Sequence, residues 1–365
     1  MQETQSSTFR NMLRGLRRFI DLIEILGVLW SKEKRYTSNL PFFKRVRAWR
    51  LGFLSDSYVQ YFRENGDKNA NLYLTDYQRW RYVPRINAKY GIVLADKLLF
   101  RDYFHDFKKH IPEIFFVAFK GRLLTANFNH ASYDDFTAIL RSRSKLILKP
   151  RSGFGGRGVL KVVAHEGHYM VNKDKHTLET LLSLVKGLDG YLITEFATQE
   201  GYAFRIYPNS VNSLRILTVI DPDSQKARIA GISHRFGSGT TGAVDNWTSG
   251  GISAAVDVHT GIIGHCAQNP KGKELLWLSN HPDTGELITG LKIPNWENVV
   301  DQVLKMAEFC KFCPYIGWDI AVSDDTFWVL EANDSPDVHI IQIHEPLFKS
   351  DQNVRFYSFH KVINL

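Results

Sequence analysis

Apolar residues recur along this chain in short runs that are separated by polar or glycine-rich segments. Runs of about four to eight apolar residues bounded by turn residues are typical of strands. They predict strands at 114–118, 145–149, 159–163, 191–196, 213–219, 229–235 and 251–258, and a short one near Tyr169. Helical spacing predicts helices near 133–141 and 176–188, and one that opens at 95–100 with Asp96 as N-cap. This mixture predicts an α+β fold.

The N-terminal part of the chain has a different pattern, which predicts helices. In residues 8–35, apolar positions recur at helical spacing while four arginines lie mostly on other faces. A second basic segment follows at 42–51, and an aromatic helical pattern covers 55–87. Two interpretations of residues 8–50 remain open: peripheral contact with an anionic membrane surface, or helices docked on the protein with a solvated basic face.

Positive charge is concentrated in this N-terminal segment. The net charge is +8, and residues 1–50 carry eleven Lys or Arg against four Asp or Glu, which leaves +1 for the rest of the 365 residues. A body so close to neutral argues against a nucleic-acid partner. Three cysteines and no recognisable signal peptide predict a cytoplasmic location, with the inner face of the membrane as the alternative. We expect Cys310 and Cys313 to be packed near a helix end rather than reactive.

A glycine-rich stretch, KPRSGFGGRGV at 149–159, connects two predicted strands. Its glycines let the backbone pass close to an anion with free N–H groups turned toward it, and Lys149 adds a positive charge beside them. The pattern is not a Walker A motif, because no Gly-Lys-Ser/Thr follows, and a strand rather than a helix comes next. A flexible hairpin turn is the alternative. The glycines are Gly153, Gly155, Gly156 and Gly158.

Two further cations and one polar loop are candidates for a binding site. Lys97 lies in the first turn of a predicted helix. A positive charge at this end of a helix is unfavourable because of the helix dipole, so we expect an anion or solvent to stabilise the ammonium group. Arg215 lies inside an apolar strand and should face a carboxylate or a bound anion. The loop at 237–246, followed by Gly250 and Gly251, is typical of a segment over an active site.

The C-terminal part contains a predicted β-hairpin, with strands at 315–322 and 326–333. Strict alternation places Glu331 and Asn333 on one face of the second strand. On the other face it places Trp328, Leu330 and Ala332.

Three oxygen-bearing side chains of this hairpin suit a hard cation. Asp319, Glu331 and Asn333 would meet at one end of it, and Gly317 and Ala321 would leave room beside Asp319. Mg²⁺ is commonly held by a few carboxylates while nucleotide phosphates and water complete its shell. A charged, solvated hairpin face is the alternative, which the apolar setting disfavours.

The order of these features resembles the ATP-grasp superfamily over roughly Asp96 to Pro336. Within it, the sequence is most similar to the sugar-transfer-associated ATP-grasp proteins, which are related to glutamate ligases. Three stretches carry the closer resemblance: Asn212 to Thr218, Val244 to Asn246 with Gly250 and Gly251, and Gly317 to Asp319 with Glu331 to Pro336.

The resemblance implies an ATP-grasp fold, with two α+β lobes that clasp ATP and an N-terminal helical region. It implies the following division: a basic helical segment at 1–60, a helical and α+β region with the first ATP lysine at 61–143, a small lobe with the glycine-rich loop at 144–198, and a large lobe with the metal site at 199–365.

The resemblance also implies roles for individual residues. Lys97 and Lys149 would contact the ATP phosphates, and Arg215 would face the γ-phosphate or an acyl phosphate. Asn246 would lie near the phosphates or the acceptor. Lys149, Arg215 and Asn246 are thus the candidate catalytic residues. The other implied contacts are Gly155, Gly156 and Gly158 over the phosphates, Glu195 and Phe196 at the adenine, Ser213 at the ribose position, and Asp319, Glu331 and Asn333 on Mg²⁺, with Mn²⁺ as an alternative ion.

Two positions depart from the pattern of related ligases. Ser213 stands where they often carry an acidic residue, and Asp334-Ser-Pro-Asp337 replaces the usual Ser-x-Pro-Gly. The first departure concerns the ribose contact, and the second concerns the shape of the loop after Asn333.

The activity implied is an ATP-dependent carboxylate–amine ligase that works through an acyl phosphate. Its small-molecule substrates would be a carboxylate and an amine, such as a sugar acid and an amino acid of a bacterial cell-surface polysaccharide pathway. Positioning and charge neutralisation would carry such a step, without a protein nucleophile. His234 and His339 are expected to be structural. A phosphotransferase and a non-catalytic nucleotide-binding partner of a glycosyltransferase complex are the alternatives.

Overall fold

A computed structural model of the chain describes residues 22–34, 40–62, 66–153, 155–242, 244–269 and 275–364. The chain divides into two compact units. The first comprises Met1–Ala88, Asn269–Leu276 and Val338–Leu365, and the second comprises Lys89–Gln268 and Trp277–Asp337. Residues 8–21 and 35 of the predicted N-terminal helix lie outside the described residues, as does Phe154 of the glycine-rich stretch.

The described helices are short, and five of them follow a Ser, Thr or Asp whose side chain accepts from a free N–H group of the first turn. In chain order they are α1 (22–34), α2 (Phe42–Arg50), α3 (Ser55–Phe62), α4 (Asp76–Arg81), α5 (Pro84–Asn87), α6 (Ile92–Ala95), α7 (Lys97–Tyr103), α8 (Tyr133–Arg143), α9 (Leu178–Gly187), α10 (Tyr202–Ile206), α11 (Trp296–Phe309), α12 (His339–Gln342) and α13 (Asp351–Phe359).

The strands all belong to the second unit, apart from the first residue of β13. In chain order they are β1 (Ile114–Phe119), β2 (Arg122–Thr125), β3 (His130–Ala131), β4 (Lys145–Pro150), β5 (Leu160–His165), β6 (His168–Val171), β7 (Asp174–His176), β8 (Tyr191–Glu195), β9 (Ser213–Ile220), β10 (Ala227–Phe236), β11 (Ile252–Val256), β12 (Ile263–Gln268), β13 (Leu276–Leu278), β14 (Tyr315–Val322) and β15 (Phe327–Asn333).

The first unit is helical, and the C-terminal helices pack with the N-terminal ones. Gln342 on α12 accepts a hydrogen bond from the backbone N–H of Leu74 at 2.7 Å and donates one to its carbonyl at 3.0 Å. Aromatic rings around Phe53 and Phe62 form the core of this unit. The prediction of helices over 55–87 is confirmed, and the basic segment at 42–51 contains α2.

The second unit contains two antiparallel sheets. The eight-stranded sheet has the order β3-β2-β1-β8-β4-β5-β6-β7. Helices α8 and α9 contribute to its core, with Phe136 and Leu140 from α8 and Leu181 and Val185 from α9. Each begins with a reciprocal capping box, which fixes where the chain leaves the preceding strand.

The seven-stranded sheet has the order β13-β12-β11-β10-β9-β14-β15, and β9 lies in its middle. Its core includes side chains of α11 spaced three or four residues apart, such as Val299, Val303 and Met306, together with Phe100 and Phe104 of the α7 region. This spacing is the apolar face of an amphipathic helix. The sheet therefore presents its other face, which carries Arg215 and Asp319, to the candidate site.

The α+β prediction is confirmed, and each predicted strand is present with small shifts in its bounds. The boundary expected between 143 and 144 lies between α8 and β4, and the expected division stays a prediction. The compact units are divided at 88–89, 268–269, 276–277 and 337–338. Within the described residues, no helix is both long and apolar enough to cross a bilayer.

Candidate functional site

The first element of the site is Lys97 at the start of α7. Asp96 caps this helix, because its Oδ1 accepts from the N–H groups of Leu98 and Leu99 at 2.9 and 3.1 Å. Its Oδ2 accepts from Arg151 Nε at 2.6 Å. The Lys97 N–H also donates to the Arg151 carbonyl at 3.1 Å. The start of α7 is thereby fastened to the end of β4.

This fastening places the Lys97 ammonium beside the glycine loop, which we define as residues 151–158. Lys97 Nζ donates to the Gly153 carbonyl at 3.2 Å and lies 3.5 Å from a carboxylate oxygen of Glu331. Both side chains are largely buried, at 12% and 24% exposure. A carboxylate therefore compensates the lysine that opposes the helix dipole.

Lys149, at the end of β4, approaches the same carboxylate. Its Nζ donates to the Leu330 carbonyl at 3.5 Å. Burial and the like charge of Lys97 lower the pKa of Lys149 to about 8, and Glu331 opposes this shift. Two ammonium groups thus face one carboxylate in a poorly solvated position, which suits an additional anion.

The hairpin β14–β15 places Glu331 directly opposite Asp319, but a β-bulge interrupts it. The register passes from Asp319↔Glu331 to Ile320↔Val329 and leaves Leu330 without a partner. The prediction that Trp328, Leu330 and Ala332 share a face is therefore wrong. Phe327, Val329 and Ala332 lie in the core instead.

This bulge exposes the Leu330 carbonyl to Lys149, so the irregularity helps to position the lysine.

Asp319 is held by two arginines. Arg215, its cross-strand neighbour on β9, donates from Nε and Nη2 at 2.6 and 3.1 Å. Arg235 on β10 lies 3.1 Å from the same carboxylate. Burial alone would raise the pKa of Asp319, but the two guanidinium groups outweigh it and hold the pKa well below its usual range. The expectation that Arg215 faces a carboxylate is confirmed.

The room expected beside Asp319 is occupied. A Cβ added to Gly317 would lie 2.3 Å from Pro336, because the loop after Asn333 folds back over β14. Arg215 Nη1 donates to the Asp337 carbonyl in this loop at 3.1 Å. The prediction of open space at Gly317 is therefore wrong, because the loop after Asn333 fills that space. The alternation of residues along the two hairpin strands does not reveal the position of this loop.

Arg235 and Asp245 belong to the site although the sequence analysis assigned neither a role. Asp245 accepts from the backbone N–H of Ser213 at 2.8 Å and from its hydroxyl, and lies 3.5 Å from Arg235. Burial raises the pKa of Asp245, which Arg235 opposes. A carboxylate thus stands next to Ser213, the position at which related ligases often carry an acidic residue.

Asp245 also anchors the polar loop that carries Asn246. The Asn246 amide donates to the Gly155 carbonyl at 3.3 Å, and its oxygen accepts from the Thr248 N–H at 3.0 Å. A Cβ on Gly156, whose φ is +70°, would lie 2.9 Å from Val244. The structure therefore places Asn246 against the glycine loop, and only glycine fits at Gly156 without displacement.

Glu195 and Phe196 lie at the end of β8, on the strand next to β4. Lys149 pairs with Leu192, so Glu195 lies three residues farther along the sheet, about 10 Å away. The Glu195 carboxylate accepts from the Glu113 N–H at 3.3 Å. Lys145 and Lys161 lie over the Phe196 ring, 5.7 and 5.0 Å from its centre.

The donor set fits a hard cation held in part by other ligands. Burial and the negative charge of Asp319 raise the pKa of Glu331. A divalent cation would relieve this repulsion better than a shared proton. Asn333 follows on the same strand, opposite Gly317. In the described part of the chain no group of three or more His, Cys, Asp or Glu is suited to a metal, so phosphates and water would complete the shell.

The expected structural residues make other contacts. His234 is fully buried and pairs with the Tyr202 hydroxyl at 2.7 Å, and burial lowers its pKa to about 3. His339 lies in the first unit and contacts the Tyr61 hydroxyl at 2.9 Å. Cys310 and Cys313 are buried at the end of α11, as expected.

Comparison with known proteins identifies the family. The sequence pattern of the family described as "Sugar-transfer associated ATP-grasp" matches residues 77–355, more than half of the chain. No curated protein matches the chain significantly.

Solved structures with a similar fold share little sequence with it. An N5-carboxyaminoimidazole ribonucleotide synthetase from Thermotoga maritima has a TM-score of 0.40 and 10% identity, over 76% of this chain and 51% of that one. A RimK-domain ATP-grasp protein from Sphaerobacter thermophilus has a TM-score of 0.38 and 13% identity, over 73% and 68%. A D-alanine–D-alanine ligase from Bacillus anthracis has a TM-score of 0.35 and 13% identity, over 72% and 68%.

The chain spans about half the length of two other solved chains. It covers 45% of another N5-carboxyaminoimidazole ribonucleotide synthetase and 54% of an ATP-grasp ligase. With the family match over residues 77–355, the chain belongs to the sugar-transfer-associated ATP-grasp family.

Proposed function

We propose that this protein is an ATP-dependent ligase that joins a carboxylate to an amine through an acyl phosphate. One observation carries the proposal: Lys97 and Lys149, from separate parts of the chain, meet at Glu331, which faces Asp319 across the hairpin. Cations and paired carboxylates that converge in this way suit the phosphates of a metal-bound nucleotide.

In the proposed reaction, a substrate carboxylate oxygen attacks the γ-phosphorus of ATP and the bond to the β-phosphate oxygen breaks, so that ADP leaves. The amine nitrogen then attacks the acyl carbon, phosphate leaves and the nitrogen loses a proton. The protein's part is to orient the groups and to neutralise negative charge. Lys97, Lys149 and Arg215 would supply this charge, and Arg235 would hold Asp319 in place.

Asp319, Glu331 and Asn333 would hold Mg²⁺. The ion, when bound, would neutralise charge on the nucleotide phosphates. The glycine loop would close over these phosphates, and Asn246 would keep it in place through the Gly155 carbonyl. Glu195 and Phe196 would border the adenine.

The substrates are proposed by class. The family's association with sugar transfer favours a sugar acid as the carboxylate and an amino acid as the amine. A thermal-shift series with MgATP and combinations of uronic acids and amino acids would identify binders, because a ligand that binds the folded state raises the apparent stability.

Hydroxylamine tests the reaction type. If an acyl phosphate forms, a mixture of protein, MgATP, the carboxylate and hydroxylamine yields a hydroxamate and ADP, and Lys149→Met abolishes both. A stable phosphorylated product without hydroxamate would contradict the ligase proposal and support a phosphotransferase. ADP release that is unaffected by Lys149→Met would contradict the proposed site.

A further inference from the structure

The first unit exposes an unusual amount of apolar surface close to its N-terminal end. Helices α1 and α2 are two short segments of the described chain, yet together with Leu51, the residue after α2, they carry eight large apolar side chains that are at least 36% exposed. Surface apolar residues that occur singly need no explanation, whereas a cluster of this size marks an interaction site. The eight are Ile23, Leu26, Val28, Trp30, Phe42, Phe43, Trp49 and Leu51.

The aromatic members of this cluster form two ring pairs, one at each end of α2. The rings of Trp30 on α1 and Trp49 on α2 meet edge to face with centroids 6.4 Å apart. Phe42 lies two helical turns before Trp49 and therefore on the same side of α2. Phe42 and Phe43, with centroids 6.1 Å apart, are 67% and 85% exposed at the start of that helix.

The charge of α2 indicates which kind of partner fits this cluster. Its sequence, FFKRVRAWR, contains four basic residues and no acidic one. Arg47 is committed to Asp67 of the same unit, with Nη2 2.6 Å from a carboxylate oxygen. Lys44 and Arg50 are exposed on the same helix. On α1, Lys34 lies over the ring of Trp30, 5.3 Å from its centre.

We propose that the patch formed by Phe42, Phe43, Trp30 and Trp49, together with the exposed Lys44 and Arg50 of α2, docks this protein on an anionic phospholipid surface. Short helices with aromatic residues on one side and Lys or Arg around them lie in the membrane interface, where the rings enter the headgroup region and the cations pair with lipid phosphates. This surface belongs to the helical unit, so the inference is independent of the proposed ligase activity.

The test is flotation of the full chain with vesicles of phosphatidylcholine, with and without phosphatidylglycerol. We expect binding to vesicles that contain phosphatidylglycerol, little binding to pure phosphatidylcholine, and weakening by salt. The double variant Phe42→Ser/Phe43→Ser and the double variant Lys44→Glu/Arg50→Glu should each weaken binding by about tenfold or more.

Two matched controls test whether the loss of any exposed ring, or of any two exposed positive charges, has the same effect on lipid binding. Phe128→Ser removes a 55% exposed ring of the second unit, and Lys108→Glu/Lys109→Glu reverses two exposed charges there. Both controls should bind vesicles as the unaltered chain does. Every variant should keep its unfolding temperature and its response to MgATP, since none of these residues lies in the candidate site.

Three results would overturn the proposal. They are absence of binding to vesicles that contain phosphatidylglycerol, equal binding to neutral and anionic vesicles, and retention of full binding by the Phe42/Phe43 variant. Equal binding to both kinds of vesicle would show that the positive charges do not select the surface, and full binding by the Phe42/Phe43 variant would show that a different part of the chain contacts lipid. Absence of lipid binding would leave a protein partner as the occupant of the patch.

Discussion

The ammonium of Lys149 should destabilise the protein in the absence of nucleotide. Burial and Lys97 lower its pKa from 10.5 to about 8, and each pH unit between these values corresponds to about 1.4 kcal/mol. The cost is therefore at most about 3.5 kcal/mol, and because the side chain is partly exposed we expect roughly 1–2 kcal/mol after solvent screening.

The pH dependence of this cost has a definite sign. The unfolded chain keeps the proton on Lys149 up to about pH 10.5, whereas the folded chain loses it near pH 8. The penalty is thus complete below pH 8 and disappears as the pH rises from 8 to 10.5.

The variant Lys149→Met keeps a side chain of similar length and removes the charge. We expect it to raise the free energy of unfolding of the nucleotide-free protein at pH 7 by roughly 1–2 kcal/mol, with a smaller difference at pH 10. The stabilisation by MgATP should be largely lost, because the nucleotide phosphates would lose a buried cation.

Urea unfolding at pH 7 and pH 10, with and without MgATP, measures both effects. Lys175→Met, which changes an exposed lysine on β7, is the control and should alter neither quantity. If Lys149→Met were less stable than the unaltered chain at pH 7, the inferred desolvation would be wrong. If its response to MgATP were unchanged, Lys149 would not contact the nucleotide.

Three further predictions concern the loops and the carboxylates. Gly156→Ala should raise the dissociation constant of MgATP, measured by calorimetry, about tenfold or more, because the added Cβ would lie 2.9 Å from Val244. The control is Gly167→Ala, which has a similar positive φ but no heavy atom within 4 Å of the added Cβ, and it should not affect binding. Asn246→Ala should raise the dissociation constant of MgATP several-fold while the unfolding temperature stays nearly constant, because it removes the link to the glycine loop; an unchanged constant would contradict that role. The pKa of Glu331 is raised, so its carboxylate takes up a proton at a higher pH than an ordinary glutamate does. The affinity for Mg²⁺ in the presence of ATP should therefore begin to fall at this higher pH as the solution is acidified. Glu331→Gln should remove this pH dependence.

Local sequence patterns predicted the elements that carry the site. The apolar runs located β4 and β14. The anion-binding role of the glycines and Lys149 stays a prediction. Asp96 was recognisable as a cap because an acidic residue at that position accepts the first free N–H groups of a helix. These features depend on neighbours within a few residues, which the sequence displays directly.

Long-range contacts account for what the sequence did not predict. Arg235 joins the site only because β10 pairs with β9 in a register that sets it opposite Ser213. The bulge at Leu330 and the return of Pro336 over Gly317 depend on packing between distant segments. A one-residue change of register reverses the faces of a strand, so alternation alone assigned the wrong face to Trp328.

The most direct test of the nucleotide site is a crystal structure of the chain with Mg²⁺ and a non-hydrolysable ATP analogue. We predict that the phosphates lie within hydrogen-bonding distance of the ammonium groups of Lys97 and Lys149, and that the ion contacts the Glu331 carboxylate. A nucleotide bound elsewhere, with Lys149 still directed only at the Leu330 carbonyl, would contradict the assignment.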